Sequence, residues 1–74
     1  MEKLNGKYRG DLVTVVKGGN TYEIRTQIFC RGILYQQVEI EVEEVPEDQL
    51  ENTINWKVIY QGRTWPIVSV TKVS

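Results

Sequence analysis

Apolar and polar side chains alternate with a period of two along most of this chain, which is the repeat of a half-buried β-strand. From Thr21 to Cys30, the positions Tyr22, Ile24, Thr26, Ile28 and Cys30 share one face, and Glu23, Arg25, Gln27 and Phe29 share the other. The pattern breaks at Arg31-Gly32. It resumes from Ile33 to Val42, with Val38, Ile40 and Val42 facing inward and Glu39, Glu41 and Glu43 outward. Ile54, Trp56, Val58 and Tyr60 alternate next, Gln61-Gly62 supplies a turn, and Arg63 to Val70 returns. A tight hairpin over Thr53 to Val70 follows, free of helix from Thr53 to Tyr60, with Trp56 or Trp65 largely buried and the two indoles near each other across the pair. Pro66 cannot donate to a ladder, so its part of the returning strand is expected on an edge or at a bulge.

Two stretches lack this repeat. Residues 1–10 hold three basic side chains and two glycines without periodicity, and are expected to form a flexible arm leading into a single domain over residues 11–74. Glu43 to Glu51 could hold about one helical turn, because Pro46 suits a first helical position and acids suit a first turn. Between Leu12-Val13-Thr14-Val15-Val16 and the strand at Tyr22, Gly18-Gly19-Asn20 is a hairpin signal. It leads into a strand rather than a helix, which excludes a phosphate-binding loop.

Composition sharpens the fold class. Val, Ile and Thr make up 23 of the 74 residues, Ala is absent and Leu occurs four times. β-Branched side chains fit a pleated, half-buried surface, whereas Ala and Leu favour helix. An all-β fold is expected: a small, mostly antiparallel barrel or bent sandwich of about five strands. A chain of this length buries only about 60% of its unfolded surface, so a large catalytic cleft is not expected.

The side chains exclude several chemistries. With no His, the usual triads, dyads and His-ligated metal sites are absent, and a single Cys forms no disulfide within the chain. Cys30 lacks its usual activating base and reads as a small buried hydrophobe rather than a thiolate nucleophile. No catalytic residue, metal ligand or cofactor is expected. No apolar run approaches the roughly 20 residues of a membrane span, and the N-terminus carries no signal-peptide core.

Charge is segregated. Residues 1–31 carry six bases and three acids, residues 32–56 seven acids and no base, and residues 57–74 three bases and no acid. A solvated face accounts for Glu39 and Glu41. Partner-binding candidates are therefore Glu43, Glu44, Glu47, Asp48 and Glu51, with Val45 and Leu50 as apolar anchors, on a loop that would become ordered against a basic partner. The rival reading has Val45 and Leu50 capping the barrel and the acids only solvated. Glu43 to Glu51 lacks the ligand spacing of a calcium loop. Trp56 and Trp65 either brace the hairpin or form a stacking platform for single-stranded nucleic acid; only Lys57 and Arg63 lie near them in sequence, so no nucleic acid binding is expected.

The stretch Thr53-Ile54-Asn55-Trp56-Lys57-Val58-Ile59-Tyr60-Gln61-Gly62-Arg63-Thr64-Trp65-Pro66-Ile67-Val68-Ser69-Val70 resembles the closing hairpin of tailed-phage head–tail joining proteins, also called head-closure or head-completion proteins. Leu12-Val13-Thr14-Val15-Val16-Lys17-Gly18-Gly19 with Tyr22-Glu23-Ile24 resembles their opening hairpin. Together these cover roughly two thirds of the chain. The chain departs from the family in its shorter middle and in lacking the helical N-terminal segment that some members carry. The resemblance implies a non-enzymatic β-barrel subunit of the virion, assembled in the host cytoplasm, that forms a homo-oligomeric ring between portal and tail. The alternative expectation is a small SH3-like or oligonucleotide-binding-like barrel that recognises a protein or acts as a phage-encoded inhibitor.

Overall fold

The computed structural model describes residues 1–27 and 36–74, so the expectations for Ile28, Phe29, Cys30 and the start of the following run lie outside the described residues. Among those described there is no α-helix. The described residues form seven strands: β1 (Glu2–Arg9), β2 (Leu12–Lys17), β3 (Asn20–Thr26), β4 (Gln36–Val42), β5 (Trp56–Tyr60), β6 (Arg63–Trp65) and β7 (Ile67–Lys72). All pair antiparallel in one sheet of order β6-β5-β4-β1-β2-β3-β7, curled into a half-barrel.

The curl follows from one residue. β6 and β7 occupy opposite edges of the sheet, yet Pro66 alone joins them. Two consecutive Cα steps span roughly 7 Å at most, so the sheet must roll until its edges nearly meet. Pro66 has no N–H to offer β5, and there the strand leaves β5 and crosses to β3. Its carbonyl still accepts from Gln27 N at 3.3 Å.

The largest correction concerns residues 1–10. They are not an arm: β1 lies at the centre of the sheet, paired with β4 from Glu2↔Val42 to Tyr8↔Gln36 and with β2 from Lys7↔Thr14 to Arg9↔Leu12. Its inner face runs Leu4, Gly6, Tyr8, so glycine stands where the apolar repeat needs a side chain. A Cβ on Gly6 would lie 2.6 Å from Val13 Cγ1 and 3.1 Å from Ile40 Cγ1, because those two side chains already fill the space. Close packing of the interior thus selects glycine and erases the periodic signal.

Elsewhere the alternation is realised. Tyr22, Ile24 and Thr26 on β3, Val38, Ile40 and Val42 on β4, and Val13 and Val15 on β2 are buried, and their neighbours face outward. The C-terminal hairpin is shorter than expected. Its ladder runs from Val58↔Trp65 to Tyr60↔Arg63, closed by Gln61 and Gly62 with φ of 55° and 71°, the positive values that a primed two-residue turn requires. Thr53–Asn55 is a short 3-10 helix, which overturns the expectation of a helix-free run from Thr53 to Tyr60, and β7 pairs with β3 instead of extending the hairpin. Trp56 is buried, but Trp65 stands opposite Val58. The ring partner of Trp56 is Tyr22, 5.6 Å away, and Tyr8 meets Tyr60 at the same separation.

Candidate interaction surface

The candidate residues between Glu43 and Glu51 lie on the connection from β4 to β5, which folds across one end of the barrel. Glu43 N donates to Asn55 O at 2.9 Å, which carries the β4–β5 ladder one residue past the strands. Pro46 then starts a 3-10 turn, Glu47–Gln49, with two acids in its first turn as expected. Leu50 turns inward and is only 4% exposed; Val45 packs half-buried against the same core. Trp56 Nε1 donates to Leu50 O at 2.6 Å, and Asn55 Nδ2 donates to Gln49 O at 2.9 Å. Asn52 caps the second turn by accepting from Ile54 N at 3.2 Å. Val45 and Leu50 are therefore barrel caps, and the expectation that they wait as anchors for a partner is corrected.

The acids divide into two groups. Glu47 accepts from Lys72 Nζ and from Asn20 Nδ2, each at 2.9 Å, which ties the connection to β7 and to the start of β3. The hydrogen bond from Lys72, then its charge, lower the Glu47 pKa from the ordinary 4.5, and the same bond raises Lys72 above 10.5. Glu43, Glu44, Asp48 and Glu51 are exposed and form no ion pair among the described residues. Among the described residues no cluster of three metal-ligating side chains occurs.

The acids of β4 do not join this group. Glu41 stands opposite Lys3 on one side and Lys57 on the other, and Glu39 pairs with Lys3 at 3.4 Å. Sheet register thus interleaves the acidic strand with bases from distant parts of the chain. The acidic surface that remains is the β4–β5 connection.

Its most exposed apolar residue is Ile54, which the alternating pattern had assigned to a strand. It is 78% exposed on the Thr53–Asn55 turn, and that turn lies alongside β7, where Val68 is 58% exposed. Asn52 as a cap was the one signal in the sequence for this turn.

The outer face of β1–β3 carries charges of both signs. Arg9, Leu12 and Arg25 form a row across β1, β2 and β3, with half-buried Leu12 at its centre. The next row is Lys7, Thr14 and Glu23. Arg25 reaches Asp11 at 3.4 Å, and both side chains are more than half exposed. At the sheet edge, the Arg63 guanidinium lies 4.6 Å from the centre of the Trp65 ring, where the cation meets the ring's negative face.

No protein-family model, no curated protein and no solved structure matches this chain.

Proposed function

We propose that the chain is a non-enzymatic structural subunit of a tailed-phage virion that joins head to tail as part of a homo-oligomeric ring between portal and tail. One observation carries this reading. The two segments that resemble the family's opening and closing hairpins each contain a hairpin, β2–β3 in the first and the shorter β5–β6 in the second, and both belong to one curled sheet. The exposed acids of the β4–β5 connection and the mixed-charge outer face of β1–β3, where Lys7, Arg9 and Arg25 stand with Asp11 and Glu23, give the subunit two unlike faces. A ring needs two unlike faces, because head-to-tail contacts are heterologous. A small barrel that inhibits or recognises another protein is the second reading, favoured by the exposed acids Glu43, Glu44, Asp48 and Glu51.

The test is genetic. A nonsense mutation in the gene should leave DNA-filled heads and separate tails that fail to join, and mass spectrometry of intact virions should detect the chain. Infectious virions that form normally without it would overturn the subunit reading.

A further inference from the structure

We infer that an extended segment of another protein adds as a short strand at the fork where β1 and β2 part. This goes beyond the subunit reading above and does not rest on it. β1 pairs with β4 from Glu2↔Val42 to Tyr8↔Gln36, but with β2 only from Arg9↔Leu12 to Lys7↔Thr14. Past Thr14, β2 pairs with β3 alone, as far as Lys17↔Asn20. Residues 2–6 of β1 and 15–17 of β2 therefore run without a ladder between them.

The order of the hydrogen bonds says which backbone groups are left over. Successive residues of an antiparallel strand direct their N–H and C=O to opposite neighbours. Glu43 N bonds to Asn55 O on the β5 side, so Val42, Ile40 and Val38 address β1, where Glu2, Leu4 and Gly6 stand opposite them. Lys3 and Asn5 thus point toward β2. Val73 N bonds to Thr21 O on the β7 side, so Tyr22 addresses β2 at Val15, and Val16 points toward β1. Among the described residues no ladder takes up the N–H and C=O of Lys3, Asn5 and Val16, and all three residues are exposed.

Donors and acceptors at strand spacing are matched by another extended backbone, which fixes the chemistry of the occupant. Half-buried Leu4 and buried Val15 flank the fork on its inner side, so the entering segment turns an apolar side chain inward. The mouth is bridged by one ion pair, Lys17 Nζ to Glu2 Oε1, with the Glu2 side chain 44% exposed. Such a pair is weak enough for an incoming strand to displace. The segment is foreign because this chain has no strand to lend among the described residues. Every strand already belongs to the sheet; of its two edges, β6 has three residues before Pro66, and β7 has Val70 buried and lies beside the 53–55 turn.

Amide exchange of the whole protein, followed by NMR, tests the fork before any ligand is added. The amides of Lys3, Asn5 and Val16 should exchange at least about tenfold faster than those of Leu4, Gly6 and Val15, after correction for intrinsic rates. A displayed library of random heptapeptides, panned on the protein, should then enrich sequences in which apolar residues alternate. With an enriched peptide bound, the same three amides should slow by at least about tenfold. Asn5→Pro deletes an N–H that no ladder uses, so it should still fold, and it should weaken the peptide by at least about tenfold. Lys57→Ala on β5 should leave the affinity unchanged. Equal protection of the two sets of amides in the free protein, a library with no enriched peptide, binding that leaves the three amides as they were, or a folded Asn5→Pro that binds as well as the original would each overturn the inference. Self-association of the chain that is lost in Asn5→Pro would overturn the foreign segment in favour of a second copy.

Discussion

The indole N–H of Trp56 donates to the backbone carbonyl of Leu50 at 2.6 Å, inside the barrel end that the Leu50 side chain closes. One residue starts β5 and the other ends the acidic turn, so the bond fastens the longest irregular segment among the described residues to the core. It also gives the buried indole its polar partner.

Replacing both apolar caps, Val45→Ser with Leu50→Ser, should therefore destabilise the isolated protein. Losing a buried Leu and leaving a hydroxyl in its place costs about 2–5 kcal/mol, and each kcal/mol lowers Tm by about 4–8 °C in a domain of this size. A thermal melt should show Tm lower by roughly 10 °C or more. An unchanged Tm would mean that the connection is not part of the core.

Gly6→Ala should cost about 1–3 kcal/mol, although Ala suits a strand interior better than Gly. The new methyl would overlap Val13 Cγ1, and a β-branched side chain in a strand has few rotamers through which to retreat. Denaturant titration of Gly6→Ala, Val13→Ala and the double variant closes a cycle. A double variant less impaired than the sum of the two singles is expected.

Tyr22 and Trp56 touch through their rings but differ in polar state. The Tyr22 hydroxyl is buried with no hydrogen-bond partner among the described residues, whereas the Trp56 N–H is satisfied. Tyr22→Phe should hold or raise stability, since the buried oxygen contributes only its desolvation cost. Trp56→Phe should lower it by about 1–3 kcal/mol, because Leu50 O is left unpaired and volume is lost. Equilibrium unfolding of both variants checks the contrast; a Tyr22→Phe loss as large as that of Trp56→Phe would contradict it.

The Glu47–Lys72 clasp sets a pH window for the connection. Glu47 has a folded pKa below its ordinary 4.5, so its contribution is present above that value and is lost as pH falls through the folded pKa. Lys72 has a folded pKa above its ordinary 10.5, so its contribution is present below that value and is lost as pH rises through the folded pKa. Both groups lie at the surface and salt screens them, so the effect should be local. Amide exchange of residues 47–50 should quicken at low pH relative to β4, after correction for intrinsic rates, and Glu47→Gln should remove that pH dependence. Equal protection at both pH values in the unaltered chain would refute the clasp.

Much of the fold is legible in the sequence because a strand with one face buried writes its period directly into residue choice. The inner faces of β3 and β4, the Gly18-Gly19 turn, the Gln61-Gly62 turn and the rupture at Pro66 all depend on neighbours a few positions away. Leu50 and Val45 were visible as apolar residues without alternating partners, but their burial was not, because the core that receives them is assembled from other strands.

What tertiary structure alone decided are the features whose causes lie far along the chain. β1 was hidden because its inner position 6 is emptied to make room for Val13 and Ile40, so that the period vanishes where packing is tightest. The acids of β4 read in the sequence as a solvated face without partners; pairing sets β1 and β5 on either side and places Lys3 and Lys57 beside Glu39 and Glu41. The exposure of Ile54 arose because Asn52 and Asn55 bond into a turn just before the ladder begins. In each case the alternating pattern determines only which side of a strand a residue faces. Closure through Pro66 and the register of strands distant in sequence determine what it meets there, because a curled sheet has a single interior to fill.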